Sequence, residues 1–358
     1  MAKFKKIGVL TSGGDAPGMS ACVKAVVNRA KELGVEVVGV QGGYAGLLEK
    51  NLVSMDNEAV NTVVNLGGTF LYTSRCDEFA TEAGMQKAVQ TCREAGIEAL
   101  ICIGGDGTFR GATDMTGHGF PSIGLPATID NDITATDYTI GLDTAINTTV
   151  NLIDNLRDTC ESHERLNVVE VMGRGCGQIA LYTAIATGAV AVAIPEVPFD
   201  EAAAIEHIKE LRDMGKRGMI VVVSEGMRNA DGSSYAESLY ARIKEKTGID
   251  CKFARFAHVV RGGRPTMRDR AFAAEVAVKA VELVVEGESD LVMCEENGVA
   301  VPMDIKFALI ADRMYKNKLR EGDLDAFTPE QLDAMRALCE KRRAEIANLY
   351  RVAQSVAF

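Results

Sequence analysis

Short runs of apolar, mostly β-branched residues alternate along this chain with longer segments in which apolar residues recur at helical spacing. The first run, KIGVLT, precedes a segment with apolar side chains at Met19, Cys22, Val23 and Val26, which is the spacing of one helix face. Strands that are apolar throughout and separated by helices are typical of parallel sheets covered on both faces. The sequence therefore predicts an α/β fold with mainly parallel sheets and helices on both faces of each sheet.

The same alternation continues through the next two hundred residues or so. Further strands are predicted at VEVVGVQ, EALICIGG, PSIGLP, LNVVEVM, AVAVAIPE and GMIVVVSEG, and helices at 57–65, 84–95, 139–160, 177–187 and 200–214. A polar surface loop is predicted at 228–238. The stretch TPEQ, beginning at Thr328, is typical of a helix N-terminus and predicts a terminal helix to about Arg351.

Length and composition narrow the class of protein. A chain of 358 residues is long enough for about two domains of ordinary size. A net charge of −11 argues against a nucleic-acid-binding surface, because phosphate backbones are bound by lysine and arginine. The nine cysteines include no C-x-x-C pair and several lie in apolar runs, which favours free thiols in the cytoplasm. The apolar stretches are far shorter than the roughly 20 residues of a membrane helix, so no membrane span is predicted.

Glycine-rich turns follow two of the predicted strands. LTSGGDAPGM, residues 10–19, follows the first strand, and GGDGT, residues 104–108, follows EALICI. Backbone N–H groups at such a turn, together with the start of a helix, can bind an anion. Asp106 would repel a phosphate unless a cation lay between them, so this turn indicates a metal–phosphate site, with Thr108 near phosphate oxygens. Each turn taken alone also fits a plain connection between strand and helix.

The segment LPATIDNDI, residues 125–133, places four polar side chains just after a predicted strand. A turn rich in Asp and Asn would account for one or two of them. The functional interpretation is that Asp130 removes a proton from an attacking hydroxyl, as phosphoryl transfer requires. Asp132 would then orient the neighbouring groups, and Thr128 lies on the other side of the acid.

Arginines stand among glycines in two more segments. VMGRGCG contains Arg174, and HVVRGGRP contains Arg261 and Arg264. Because the planar guanidinium matches phosphate, these arginines are predicted to bind a phosphorylated sugar. For Arg75 and Arg165 the residues alone leave two alternatives open, an anion contact and an ordinary ion pair.

Taken in order, LTSGGDAPGM, GGTFLYTSR, IGGDGT, PATIDND, VEVMGRGCG and HVVRGGRP resemble the ATP-dependent 6-phosphofructokinases, over about residues 5–315. The resemblance implies two Rossmann-like domains with the active site in the cleft between them, a homotetramer, and Mg²⁺ as cofactor. The implied reaction converts MgATP and fructose 6-phosphate to ADP and fructose 1,6-bisphosphate, the committed step of glycolysis.

The resemblance also implies roles for individual residues. Asp130 matches the general base, accompanied in catalysis by Thr128, Asp132 and Arg174. Contacts with the nucleotide and its phosphates are implied for Gly14, Arg75, Cys76, Gly105, Asp106, Gly107 and Thr108, with Asp106 as the Mg²⁺ ligand. Contacts with fructose 6-phosphate are implied for Thr128, Asp130, Arg165, Met172, Gly173, Arg174, Glu225, Lys252, His258, Arg261 and Arg264. Among these, Arg165 matches an arginine that reaches across a subunit interface, and Lys252 replaces another arginine.

Two positions bear on the phosphoryl donor. Relatives that use pyrophosphate tend to carry GGDD and PKTIDND, whereas this chain has Gly107 and Ala127 at the second aspartate and the lysine. Gly107 leaves space open for a nucleotide, and Ala127 lacks the extra cation, so ATP is predicted as the donor.

This chain departs from the effector pocket of the bacterial enzymes at Asn28, Asn57 and Val190. Activation by ADP and inhibition by phosphoenolpyruvate are therefore predicted to be weak or absent.

The expected domains follow from the same resemblance. A larger nucleotide-binding domain comprises residues 1–140 and about 260–310, and a smaller sugar-phosphate-binding domain comprises 141–259. Residues 311–358 are expected to form a helical C-terminal extension.

Three other functions share parts of these motifs. A pyrophosphate-dependent enzyme of the same fold is the nearest. An NAD or lipid kinase shares the GGDGT turn but does not account for PATIDND, MGR and RGG together. A non-catalytic subunit that binds sugar phosphate is disfavoured because Asp106, Asp130 and Arg174 are all retained.

Overall fold

The computed structural model describes residues 3–357, which form two compact units. Unit 1 is made of residues 3–129, 133–144 and 261–340, and unit 2 of residues 130–132, 145–260 and 341–357. The boundary expected at residue 140 therefore lies inside unit 1. The expected C-terminal extension is divided between the two units after Glu340.

The strands of the described chain form two sheets. They are β1 (Lys6–Thr11), β2 (Glu36–Val40), β3 (Leu52–Met55), β4 (Ala99–Gly104), β5 (Ser122–Pro126), β6 (Leu166–Val171), β7 (Ala191–Ala193), β8 (Met219–Ser224), β9 (Cys251–Arg255), β10 (Leu291–Glu296) and β11 (Val299–Asp304). In unit 1 the order is β11-β10-β5-β4-β1-β2-β3, parallel except for the β2–β3 and β10–β11 pairs. In unit 2 the order is β7-β8-β6-β9, and every pair is parallel. The predicted class, α/β with mainly parallel sheets, is confirmed.

Eleven α-helices connect or follow these strands in the described chain: α1 (Met19–Glu32), α2 (Tyr44–Glu49), α3 (Glu82–Glu94), α4 (Asp106–Gly117), α5 (Leu142–His163), α6 (Gln178–Thr187), α7 (Glu201–Asp213), α8 (Tyr235–Thr247), α9 (Met267–Glu286), α10 (Ile305–Tyr315) and α11 (Pro329–Ser355). Short 3₁₀ segments lie at Val63–Asn65, Glu78–Ala80 and Ala257–Arg261. The apolar strands lie in the core, and β4 is buried along its whole length. Central parallel strands are covered on both faces, which is why β4 shows no alternation of apolar and polar residues.

The helix predicted at 57–65 is wrong. Residues 57–62 form turns, and only the 3₁₀ segment Val63–Asn65 follows. The Asp56 carboxylate accepts a hydrogen bond from the Ala59 N–H at 2.8 Å, which favours a turn at the start of the segment. Valines at three of its nine positions are poor helix formers, and too few turns are available to offset them.

The predicted loop at 228–238 is four residues too long. The hydroxyl of Ser234 accepts a hydrogen bond from the Glu237 N–H at 3.3 Å and caps α8, which begins at Tyr235.

At the start of the terminal helix α11 the predicted capping box is present. The Gln331 N–H donates to the Thr328 hydroxyl at 3.3 Å, and the Thr328 N–H donates to the Gln331 side chain at 2.9 Å.

The nine cysteines are all free thiols, and eight of them are buried. Burial in apolar surroundings raises the pKa of most of these thiols, so they are poor nucleophiles. Over residues 3–357 no helix is both long enough and apolar enough to cross a membrane.

The carboxylate of Asp269, at the start of α9, is fully buried and joins several elements of unit 1. It accepts hydrogen bonds from the Tyr138 hydroxyl and the Gly141 N–H on one oxygen, at 2.5 and 2.6 Å. The other oxygen accepts from the Thr144 N–H and hydroxyl, at 2.9 and 2.5 Å. Burial raises the pKa of this carboxyl, and the hydrogen bonds partly offset that rise. The network attaches the start of α5 to α9.

We expect Asp269→Asn to destabilise the protein by roughly 2 to 6 kcal/mol, because the amide NH₂ would face two donors and leave both unpaired. Urea unfolding monitored by circular dichroism measures the change. Asp304→Asn is the matched control: Asp304 caps α10 from an exposed position by accepting from the Phe307 N–H at 2.8 Å. Asparagine caps helices equally well, so this variant should unfold like the wild type. Equal stability of Asp269→Asn and the wild type would contradict the assignment.

Candidate active site

The two turns predicted to bind anions lie side by side in unit 1. We call Ser12–Gly14 together with Gly105–Thr108 the anion cradle. The Thr108 hydroxyl donates to the Ser12 carbonyl oxygen at 3.0 Å, so Thr108 joins the two turns. A Cβ on Gly104 would collide with Thr108 and Ser12, which explains why glycine ends β4.

Asp106 and Gly107 begin α4, so they lie at the positive end of a helix dipole. The Asp106 carboxylate forms an ion pair with Arg110, one turn further along the helix. A Cβ built on Gly107 meets no atom within 4 Å, so open space adjoins the cradle at this residue. Open space at Gly107 therefore lies next to the acidic residue Asp106.

The acidic residue at the anion cradle, Asp106, suits a Mg²⁺ ion bound together with a phosphate better than a metal ion bound by protein side chains alone. Among the described residues no group of three or more His, Cys, Asp or Glu side chains is arranged to hold a metal ion. Magnesium is commonly bound through one or two carboxylates together with substrate phosphates. A single carboxylate, Asp106, beside open space at Gly107 fits that mode of binding.

Three more of the predicted site residues in unit 1 differ in exposure. Thr128 is buried, and its Cβ lies 3.7 Å from the Cβ position of Gly105 at the edge of the cradle. Arg75 is exposed in the coil before α3, and Cys76 is half-buried and packs against the core of unit 1. The structure therefore places Thr128 next to the cradle and leaves the Arg75 side chain accessible.

Two arginines predicted to bind the sugar phosphate belong to unit 1. The Arg261 Nη1 donates to the Asp15 carbonyl oxygen at 3.2 Å and lies 2.8 Å from the Cβ position of Gly14. A side chain at Gly14 would displace this guanidinium, which is the flexible end of its side chain, so the Arg261 contact alone does not require glycine there. Arg264 is exposed on the loop before α9.

In unit 2, Asp130 and Arg174 form an ion pair. The Arg174 Nε lies 3.4 Å from the Asp130 Oδ2, and the exposed fractions of the two side chains are 65% and 2%. Arg174 adopts a left-handed backbone conformation with φ 52°. The Glu225 carboxylate holds this conformation by accepting from the Arg174 N–H at 3.0 Å and the Gly173 N–H at 3.3 Å. A buried acid and an exposed cation thus lie at one place.

The carboxyl edge of the unit 2 sheet gathers five of the eleven predicted sugar-phosphate residues. Met172–Arg174 follow β6, Glu225 follows β8, and His258 follows β9 within the 3₁₀ segment. Because β6, β8 and β9 are parallel, their ends meet at one edge. Ligands of doubly wound sheets bind at this edge, so the location fits a substrate site.

Arg165 and Lys252 lie at the opposite edge of the same sheet. Arg165 directly precedes β6, and Lys252 is the second residue of β9. Both contact the Asp250 carboxylate, at 2.7 Å from Arg165 Nε and 2.9 Å from Lys252 Nζ. The hydrogen bonds from Lys252 and then Arg165 lower the pKa of Asp250 to about 2. The structure does not bring these two residues together with Arg174 and Glu225 within one chain.

Sequence analysis missed several residues that shape this region. Asp250 is one of them, and Gln178 and Arg342, which both contact the backbone or side chain of Asn131, are two more. The only signal was the crowding of polar residues around Asn131 in PATIDND. Nothing in the pattern of the terminal helix distinguishes Arg342 from its exposed neighbours.

The fold and the site define a class of protein. Unit 1 has glycine-rich turns at the start of helices and an acid suited to a metal-bound phosphate. Unit 2 has a buried acid beside an arginine. These features are typical of a phosphoryl-transfer enzyme of the α/β class. Comparison with known proteins specifies the family. The phosphofructokinase family model matches residues 6–284, and the chain belongs to this family.

The relatives agree with this assignment. ATP-dependent 6-phosphofructokinase 1 of Clostridium perfringens is 48% identical over 318 residues, which make up 89% of this chain and 98% of that protein. ATP-dependent 6-phosphofructokinase of Clostridium botulinum strain Hall is 45% identical over 316 residues, 88% of this chain and 97% of that protein. The structure of phosphofructokinase from Saccharomyces cerevisiae superimposes with a TM-score of 0.82 at 32% identity. It covers 90% of this chain and 47% of the yeast chain, so this chain spans about half the length of that relative.

Proposed function

We propose that this protein transfers a phosphoryl group from MgATP to fructose 6-phosphate, giving ADP and fructose 1,6-bisphosphate in glycolysis. The observation that carries the proposal is the buried Asp130 carboxylate with the Arg174 Nε at 3.4 Å. The two clostridial relatives are ATP-dependent 6-phosphofructokinases, which supports the same substrates. The free thiols suit a reducing compartment, and we place the reaction in the cytoplasm.

Asp130 acts as the general base in this proposal. It accepts the proton of the sugar's 1-hydroxyl as that oxygen attacks the donor phosphorus. Burial keeps water away from the carboxylate, while the exposed guanidinium of Arg174 compensates negative charge that gathers around the transferred group. Thr128 and Asp132 flank the base in the chain and orient it.

The donor is bound by unit 1. Backbone N–H groups of the anion cradle face the phosphates, and Arg75 and Cys76 contact the nucleotide. Asp106 binds Mg²⁺, which when present neutralises the donor phosphates. The absence of a side chain at Gly107 leaves space for the nucleotide beside this acid.

The acceptor is bound mainly by the carboxyl edge of unit 2. Met172–Arg174, Glu225 and His258 line the sugar, and the Glu225 carboxylate fixes the Arg174 backbone through two hydrogen bonds. We carry the contact with the 6-phosphate over to Arg261 and Arg264 as well, because a guanidinium group matches phosphate. Positioning and charge neutralisation supply most of the rate acceleration in such a site.

The opposite location of Arg165 and Lys252 supports a shared active site. One chain's β6 has six residues, so about 20 Å separates the two edges of the sheet. A sugar phosphate at the carboxyl edge is therefore too far from both residues of the same chain. We infer that Arg165 and Lys252 bind the 6-phosphate of the sugar held by a neighbouring subunit in a homotetramer.

Mixing two inactive variants tests shared sites. Arg165→Ser and Asp130→Asn proteins, unfolded together and refolded, should form hybrid assemblies in which some sites receive Asp130 from one chain and Arg165 from the other. Turnover of the mixture should clearly exceed that of either parent. A mixture no more active than its parents, although native mass spectrometry shows hybrid assemblies, would contradict the shared site.

One assay tests the overall function. The purified protein is incubated with fructose 6-phosphate and Mg²⁺, with ATP in one reaction and pyrophosphate in the other, and fructose 1,6-bisphosphate is measured. Product with ATP alone is expected. Product with pyrophosphate would overturn the choice of donor, and no product with either would favour a non-catalytic subunit that binds sugar phosphate.

A further inference from the structure

We propose that Arg342, on the terminal helix α11, is a positioning residue for Asp130. Its guanidinium holds the carbonyl group of Asn131, the residue that follows the general base. Through this contact the terminal helix contributes to turnover. The inference rests on the proposed function, because it assigns Arg342 a part in the same proton transfer.

The contact is specific and buried. The Arg342 Nη2 donates to the Asn131 carbonyl oxygen at 2.6 Å, and Nη1 donates to Glu345, one turn further along α11, at 3.4 Å. Arg342 is only 4% exposed. Arginine is rarely buried unless its charge is compensated and its N–H groups are bonded, so a buried arginine aimed at one carbonyl group indicates a defined task.

The peptide that Arg342 holds lies in a backbone conformation that needs support. Asn131 has φ 48°, in the left-handed region, and is 1% exposed. Its side-chain Nδ2 donates to the Gln178 Oε1 at 2.5 Å, at the start of α6. Its carbonyl oxygen also accepts from the Cys176 thiol at 3.8 Å. A non-glycine residue with positive φ persists where its surroundings fix it, and such residues cluster at active sites.

The grouping of residues into compact units agrees with this contact. Asp130–Asp132 group with unit 2, although the segments on both sides of them belong to unit 1. Residues 341–357, which include Arg342, also belong to unit 2. The loop of the general base is therefore attached to the unit that contains the C-terminal half of α11.

The terminal helix lies outside the part of the chain that matches the family model, which ends at residue 284. The role of Arg342 consequently does not follow from the family motifs. Small displacements of a reacting group are costly: misplacement by about 1 Å can lower a rate about 100-fold. A guanidinium that fixes the neighbouring peptide thus has a large effect on kcat without touching the substrate.

The test compares Arg342→Met with Arg351→Met. Arg351 lies on the same helix and in the same unit, is exposed, and contacts only Asn348 three residues earlier among the hydrogen bonds described for its side chain. Each variant loses one charge from α11. We expect kcat of Arg342→Met to fall roughly 10- to 100-fold, with the Kd of fructose 6-phosphate from calorimetry within about threefold of the wild type. Arg351→Met should match the wild type in both quantities.

Two further measurements separate positioning from folding. Arg342→Lys keeps the buried charge and should recover part of the lost kcat, and millimolar guanidinium chloride should partly restore Arg342→Met but leave Arg351→Met unchanged. Wild-type kcat in Arg342→Met, or a loss of kcat matched by a loss of binding and of helical circular dichroism, would overturn the inference. No turnover by the wild type with MgATP would overturn the proposed function, and with it this inference. Turnover by the wild type and equal turnover by Arg342→Met overturns the inference alone.

Discussion

Replacing Asp130 by asparagine should lower kcat roughly 10²- to 10⁴-fold, the range that a general base contributes. The amide has the shape of the carboxylate but cannot accept the proton of the sugar hydroxyl. Because Asp130 is almost fully buried and lies 3.4 Å from the Arg174 Nε, the substitution also removes one negative charge beside that cation. Binding of the anionic substrate should therefore persist or become tighter.

Steady-state kinetics with MgATP and calorimetric titration with fructose 6-phosphate measure the two quantities separately. Asp158→Asn, an exposed position on α5, is the matched control for a change from carboxylate to amide and should behave as the wild type. A mutant with lower kcat and unchanged Kd has lost an interaction made only in the transition state. Unaltered turnover in Asp130→Asn would remove Asp130 from the role of base.

The features that the sequence predicted well are local. Apolar runs separated by helical periods predict a parallel α/β fold, and the GGDGT and PATIDND segments identify the ends of β4 and β5 because glycine and short polar residues are required at such turns. Asp130 was predicted as the base for the same reason, since its neighbours in the chain are also polar, and this role stays a prediction. The helix at 57–65 was a failure of the same local method in a short, polar segment.

The features that could not be predicted depend on contacts between distant parts of the chain. Arg342 meets the Asn131 carbonyl group across 211 residues, and no periodicity records such a contact. Asp250 pairs with Arg165 across 85 residues. Arg165 and Arg174 lie at opposite edges of the sheet because they stand at the two ends of β6, and this follows only from the direction of that strand. Sequence motifs indicate which residues are chemically suited to a site, whereas the strand order decides which of them one chain can bring together.

Replacing Gly107 by aspartate should strongly impair the use of ATP while leaving the fold intact. A Cβ at this position meets no atom within 4 Å, so the new side chain enters open space beside the anion cradle. An acidic residue in the first turn of α4 also interacts favourably with the helix dipole. The melting temperature should therefore equal or slightly exceed that of the wild type.

The effect on catalysis is electrostatic and steric. Two like unit charges about 4 Å apart repel by about 4 kcal/mol at the effective dielectric constant near a protein surface, which corresponds to roughly 10³-fold in rate. We therefore expect kcat/KM for ATP to fall about 10²- to 10³-fold, while the Kd of fructose 6-phosphate, whose residues lie mainly in unit 2, remains unchanged. Steady-state kinetics with ATP as the varied substrate, together with calorimetry, measure both.

Two controls on the same helix isolate the cause. Gly117→Asp adds the same side chain at the far end of α4, where a Cβ also meets nothing within 4 Å, and should retain full activity with ATP. Gly107→Ala adds a methyl group without charge and should cost much less than Gly107→Asp, which separates repulsion from loss of space. Because α4 begins at the carboxyl end of β4, only its first turn adjoins the cradle. Gly107 and Gly117 lie at opposite ends of this helix, so the two aspartate variants differ in their distance from the cradle. Normal ATP kinetics in Gly107→Asp would show that the nucleotide does not pass this residue, and the donor site would then have to be placed elsewhere in unit 1.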